Sequence, residues 1–313
     1  MSNKKKIILD TGPGSDFDDV YALTLAANSP ELELVGVTIV SGKGLLRARI
    51  DLKLLRMLGK PDVPVIVGAE EPLLRDPRPW WTTFRPWGHE GKGFLTPEDE
   101  KLMPAPGYAP DFIVEKVMEF PGQITLIPVG PMTNIALAII RNPKIIGEVK
   151  EIIAMGGVIN ARGIGVKPLL EHNFSSDPEA TRVVLNSGIP FKMVNLNVTL
   201  KFVMSPARFE QIKALGTPVT KALVSMTEIW LKEVKRNWSE LHDPLAVGVA
   251  IDPSFVKFKK YFIEFGMWEG ILETIPFERT EFIPTAAPHI EVAEDVEADR
   301  FWDFFVERIG RNP

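Results

Sequence analysis

The stretch IILDTGPGSDFDDVYAL, residues 7–23, decides how the chain is read. An apolar run without alternation ends in Asp10, the turn residues TGPG follow, and Val20, Leu23 and Leu25 then recur at roughly helical spacing. Such a run reads as a strand buried on both faces, and Gly-Pro-Gly as its end. Asp10, Asp16, Asp18 and Asp19 fall within ten residues of one another and repel at neutral pH. An aspartate at a helix start caps free N–H groups and complements the helix dipole. One cap satisfies one helix end, so four acids call for a further reason. The unit puts them at the carboxyl end of a strand, the side of an open α/β sheet where ligands bind.

The same unit recurs. Strands are predicted over 32–40 and in VPVIVG, ITLIPV, EIIAMGG and FKMVNL. Helices are predicted over 16–28, 45–58, 111–119, 132–140 and 178–187, with a mostly helical stretch over 206–238 and a helix from about 243. A β-rich tail over 255–290 and a short closing helix complete the chain. Alternation of this kind predicts an α/β fold: one domain over 1–313, a mostly parallel open sheet with helices on both faces. Regularity lapses between Glu70 and Pro110, a stretch holding Trp80, Trp81 and Trp87, and long irregular loops of this kind carry function. Residues 82–94 and 221–238 are the candidate lids.

Composition narrows the function. The 313 residues are 45% apolar and 25% charged, an ordinary soluble balance. There is no cysteine, which excludes disulfides and thiolate metal sites. A net charge of −5 argues against nucleic acid as a partner. No run is long enough to span a bilayer, and the opening MSNKKKIILD lacks the apolar core of a signal peptide, so a cytoplasmic protein without membrane contact is expected.

Three further polar motifs follow predicted strands or open helices: GPMTN (130–134), EHNFSSDPEA (171–180) and HDP (242–244). Singly each has a plain structural reading, Asp177 for example as a helix cap before Pro178. Converging on one rim with the aspartates, they would hold a hard divalent cation. Calcium, with six to eight oxygen ligands, suits the carboxylates better than magnesium, and zinc is disfavoured with no cysteine and four histidines.

The four motifs in this order resemble the inosine–uridine-type nucleoside hydrolase family, from about Ile7 to Pro253 and diffusely to the C-terminus. The Asp-rich turn is similar to the family's DxDxGxDD with two extra residues, and LIPVGPMTNIALA, AMGG, EHN…DPEA and HDPLAV match in sequence and spacing. The resemblance implies a parallel α/β fold, a bound calcium ion, a small-molecule nucleoside as partner and hydrolysis of its N-glycosidic bond to free base and ribose. A homo-oligomer, dimer or tetramer, is expected. Asp19, Asp243 and the carbonyl of Thr133 match ligands of the ion, and Asp10 matches the first acid of the turn. Asp18, Glu171 and Asn173 match groups that hold the ribose hydroxyls, and His242 a candidate acid beside the leaving base. Trp87, Trp230 and Trp238 are candidates to stack on the purine or pyrimidine.

The chain departs from the family pattern at four places. The second aspartate of the turn, a metal ligand and the family's base, is Gly12; Gly-Asn after the second strand is Gly42-Lys43; His-Gly in the irregular loop is Trp87-Gly88; and a sugar-side Asn is replaced within RGIGVK. Three accounts of the first two changes stand open. The Lys43 ammonium takes the metal position; Asp16 replaces the missing ligand and base while Lys43 pairs with a carboxylate or meets substrate; or Lys43 faces solvent. With Gly12 unable to serve, Asp10 or Asp16 is the expected base. The alternative function is a nucleoside-binding or regulatory protein that has lost turnover. A dinucleotide site is a poor match, since GPGSDF lacks Gly-x-Gly-x-x-Gly and its acids would repel pyrophosphate.

Overall fold

The first strand carries the alternation that organises the molecule. In the computed structural model, which describes residues 4–14, 16–74, 90–159, 171–268, 271–277 and 290–311, strand β1 (Lys5–Thr11) is buried on both sides. Ile7 and Leu9 enter one apolar core and Ile8 the other. A strand covered on both faces has no polar side to show, which is why its sequence does not alternate.

β1 pairs in parallel with β2 (Leu32–Ile39) on one side and β4 (Ile124–Pro128) on the other. β2 pairs with β3 (Val65–Val67), β4 with β5 (Glu151–Met155), and β5 with β6 (Phe191–Val194), all parallel. A two-stranded ribbon, β7 (Val203–Met204) with β8 (Ser239–Glu240), stands apart. The last three strands, β9 (Val256–Trp268), β10 (Ile271–Phe277) and β11 (Ile290–Val296), extend the main sheet to the order β10-β9-β11-β6-β5-β4-β1-β2-β3. Only β9 runs against the rest.

The helices are α1 (Asp18–Asn28), α2 (Gly44–Met57), α3 (Ala109–Glu119), α4 (Thr133–Arg141), α5 (His172–Ser176), α6 (Pro178–Leu185), α7 (Leu196–Thr199), α8 (Pro206–Leu215), α9 (Pro218–Glu233), α10 (Asp243–Ile251) and α11 (Ala298–Ile309). The core on one face joins Leu23 of α1, Leu54 of α2, Leu223 of α9, Leu245 of α10 and Phe305 of α11. The other joins Ile113 of α3, Ile135 of α4 and Val184 of α6. The expected layering and the β-rich tail are both present. α1 begins at Asp18 rather than Asp16, because the Asp16 carboxylate accepts the N–H of Phe17 and closes a turn ahead of the helix.

The chain builds outward from β1 through β2 to β3, then returns to the opposite side for β4, β5 and β6. Between β1 and β4 the direction reverses, and a crevice opens beyond their carboxyl ends. Asn134, at the start of α4, fastens this point. Its amide nitrogen donates to Asp10 (2.8 Å) and to the carbonyl of Ile39 (3.0 Å), and its oxygen accepts the N–H of Ala69 (2.9 Å). Asn134→Ala would leave a buried N–H and a buried carboxylate short of partners, a loss of about 2–4 kcal/mol. Urea denaturation should show a lower midpoint with an unchanged slope.

Candidate active site

A cavity of about 220 Å³ lies at this reversal point. Its wall comes from every loop that gathers there. Gly12 follows β1, Ser41 follows β2, Val129 to Pro131 follow β4, Met155 ends β5, and Leu196 follows β6. Asp16, Asp18 and Asp19 of the turn, Arg47 of α2, Glu171 to Asn173 and His242-Asp243 complete it. Four motifs scattered from residue 10 to 244 are thereby brought to one rim.

Asp18 and Asp19 are buried, and each is held by donors. The Asp18 carboxylate accepts the N–H groups of His242 (2.8 Å) and Asp243 (3.1 Å), capping α10 from across the fold. Asp19 accepts the Thr11 hydroxyl (2.5 Å) and the Gly12 N–H (2.9 Å). Glu171 accepts three backbone N–H groups, those of Gly157, Asn173 and Phe174. Asn173 commits its amide nitrogen to the carbonyls of Val129 and Met155. A ring nitrogen of His242, Nδ1, lies 2.8 Å from the Thr199 hydroxyl.

Burial dominates the electrostatics. Desolvation pushes Asp18 and Asp19 up to about 6, with hydrogen bonds to both opposing it. Burial, then the neighbouring carboxylates, hold Asp16 and Asp243 well above the usual range. His242 is lowered to about 4 by burial, so its imidazole is neutral at pH 7.

Five expected residues lie elsewhere. Asp10 is fully buried beneath the cavity, where one oxygen accepts Thr38 (2.5 Å) and Asn134, and burial raises it to about 7. Lys43 is exposed at the N-terminus of α2 and does not line the cavity. Trp238 is 37% exposed, covered by the guanidinium of Arg236 at 5.1 Å instead of facing the cavity. Thr133, named for its backbone carbonyl, is not among the residues lining the cavity, and its hydroxyl donates to Asp177 (2.7 Å). Trp230 packs on Phe17 in a smaller adjoining cleft that shares Asp16. Trp87 and RGIGVK lie outside the described residues, as does most of the 82–94 segment.

Arg47 and His172 are the ionisable wall residues that sequence reasoning missed. His172 stands inside the EHN motif, between two residues that were singled out. Arg47 follows Lys43 by one helical turn, and no motif marks it. Its guanidinium donates to the carbonyl of Gly12.

Asp18, Asp19 and Asp243 offer oxygens within 4.8 Å of one another, a cluster able to hold a metal ion. Among the described residues the cluster comprises three carboxylates, where a calcium sphere takes six to eight oxygens. Asp16 lines the cavity but is not part of that cluster, Gly12 brings no side chain, and the place where one would project is filled by Arg47. The residues present do not fit the calcium site that the resemblance implies.

Fold and cavity together define an α/β protein with an acid-lined cavity at a sheet reversal. The sequence profile of the inosine-uridine preferring nucleoside hydrolase family matches residues 7–303, and the chain belongs to that family of N-glycosidases. The pyrimidine-specific ribonucleoside hydrolase RihB of Escherichia coli is 33% identical over 276 residues, 85% of each chain. A purine-preferring ribonucleoside hydrolase from Gardnerella vaginalis superposes with a TM-score of 0.83 at 31% identity, over 98% of each chain. The plant nucleoside hydrolase PpNRh1 superposes at 0.81 with 27% identity, over 98% of this chain and 99% of that one. Among the described residues no helix is long and apolar enough to cross a membrane.

The raised acids have a consequence for stability. Asp10, Asp18 and Asp19 titrate near 7, 6 and 6 in the fold against an ordinary 3.8. Between about pH 4 and 7 these acids, with Asp16 and Asp243 also raised, hold protons in the fold that the unfolded chain has released, so their contribution to stability is lost as pH rises; His172 and His242, lowered to about 4, oppose it below about pH 6.5 but are outnumbered. The melting temperature at pH 5 should exceed that at pH 8. Asp10→Asn, which keeps an acceptor for Thr38 and Asn134 and has no charge to bury, should flatten the slope; a melting temperature that climbs from pH 5 to 8 would contradict this account.

Proposed function

We propose that the cavity binds the ribosyl group of a nucleoside and hydrolyses the bond between C1′ and the base nitrogen, releasing ribose and free base. One observation carries the reading: Asp18, Asp19, Glu171, Asn173, His242 and Asp243 converge on one cavity at the sheet reversal. A sugar diol needs several fixed acceptors, and Asp18, Glu171, Asn173 and Asp243 supply them from three separate elements. As the C1′–N bond stretches, positive charge grows on the ring. Carboxylates already desolvated and oriented stabilise that charge without having to reorganise.

Water then adds to C1′, its proton passes to a base, and the electron pair of the broken bond leaves on the base nitrogen. With Gly12 lacking a side chain and Asp10 sealed beneath the wall, Asp16 is the acid available for that proton. Burial and the neighbouring carboxylates raise its pKa above the usual carboxylate range, which makes it a stronger proton acceptor than an exposed aspartate. His242 is neutral and has Nδ1 engaged by Thr199, so it acts as an N–H donor to the departing base rather than as an imidazolium. The leaving base takes its final proton from water.

The cleft lined by Phe17, Met226 and Trp230 adjoins the sugar site through Asp16, but at about 20 Å³ it has room for little more than a water molecule, so the base lies in the main cavity. Purine-preferring and pyrimidine-specific relatives stand at similar identity, so both classes of ribonucleoside are candidates. A divalent ion that entered would be held by Asp18, Asp19 and Asp243, calcium being the one the resemblance implies.

The test is a panel of purine and pyrimidine nucleosides assayed for free reducing sugar. Asp16→Asn and Asp18→Asn should each lower turnover by roughly 10²–10⁴-fold, whereas Asp10→Asn should stay within about tenfold of the parent. Tight nucleoside binding with no sugar released would replace the enzyme with a binding protein.

A further inference from the structure

The positive charge in the wall is an arginine, and its surroundings are specific. Arg47 is 2% exposed, so water hardly screens its guanidinium. Glycines flank it on two sides. A Cβ at Gly12 would lie 2.7 Å from Arg47 Nη1 and 2.9 Å from the backbone carbonyl of Val40, so a side chain at 12 would meet fixed backbone and would displace the guanidinium from its present seat. A Cβ at Gly42, whose φ of +66° already favours glycine, would lie 3.0 Å from both Nε and Nη2. Asp19, Glu90 and Asp51 surround the charge and favour it. Asp51, one turn further along α2, is fully buried with neither oxygen hydrogen-bonded, so its partner is the field of Arg47.

We propose that Arg47 is the built-in cation of this active site: seated on the Gly12 carbonyl beside Asp19, it occupies one side of the acid cluster, keeps a divalent ion out, and lets ribosyl binding and hydrolysis run without metal. The absence of a side chain at 12 and the presence of an arginine at 47 are two halves of one exchange. The first removes a negative charge and the second adds a positive one, which together equal the charge of a divalent ion. Like charge next to a buried guanidinium repels such an ion from the oxygens of Asp19. Arg47 thus acts by positioning Asp19 and the Gly12 loop.

The turnover arm of the test rests on the hydrolase reading above; the binding arm does not. Chelator-treated full-length protein is titrated with calcium by calorimetry and by thermal shift, and nucleoside cleavage is measured with and without EDTA. Expected are no saturable heat and no change in melting temperature up to about 1 mM calcium, and an EDTA effect on turnover below about twofold. Arg47→Met should bind calcium at least about tenfold more tightly than the parent, and Arg47→Lys, which keeps the charge, should not. Saturable micromolar calcium binding by the parent, or turnover lost in EDTA and restored by calcium, overturns the proposal. If Arg47→Met does not fold, the parent titration and Arg47→Lys decide the matter. Silent calorimetry with no cleavage under any condition sinks the hydrolase reading and leaves the cation assignment standing.

Discussion

Carboxylates withdrawn from water must be held by donors, cations or protons, and that constraint governs this molecule. Asp18 takes two N–H groups from the start of α10, Asp19 takes Thr11 and Gly12, and Glu171 takes two N–H groups from the first turn of α5 and one from the loop after β5. The cavity wall is the set of loops that can supply those donors. Removing one acid therefore strands backbone groups as well as emptying a place in the site.

The sheet reversal is what makes such a supply possible. Strands β1 and β4 lie side by side, but the chain leaves them toward opposite flanks, so no connection covers the gap. Asn134 closes the floor by binding the ends of β1, β2 and β3 at once, with Asp10 beneath it. Asp10 belongs to the scaffold under this reading, and the chemistry lies above it on the turn that begins at Gly12.

Much of this was legible in the order of residues. The unalternated run at Ile7 announced a strand between two cores, and the acids after it announced a site at the strand's end. The positions of Gly12 and Lys43 announced that something unusual had happened to the positive centre. What replaced it was not legible. Lys43 and Arg47 are one helical turn apart on α2, and only the direction of that helix decides which of them faces Gly12. Asp10 misled for a similar reason: proximity in sequence to Asp16 and Asp18 says nothing about which side of the loop a strand residue lies on. Trp238, a candidate to stack on the base, was equally readable as a packed ring, and it sits beside the guanidinium of Arg236, away from the residues lining the cavity.

The bond from Asp18 to the start of α10 joins residues 224 and 225 positions apart in the chain. The two halves of the sugar site are therefore joined only when His242 and Asp243 have closed on the first turn. Contacts of such long range form slowly and late. A ligand seated across that seam binds only finished molecules, and mass action then draws the population toward the native state. Nucleoside in the cell would in this way act as a folding aid for the protein that consumes it, most strongly when substrate is abundant.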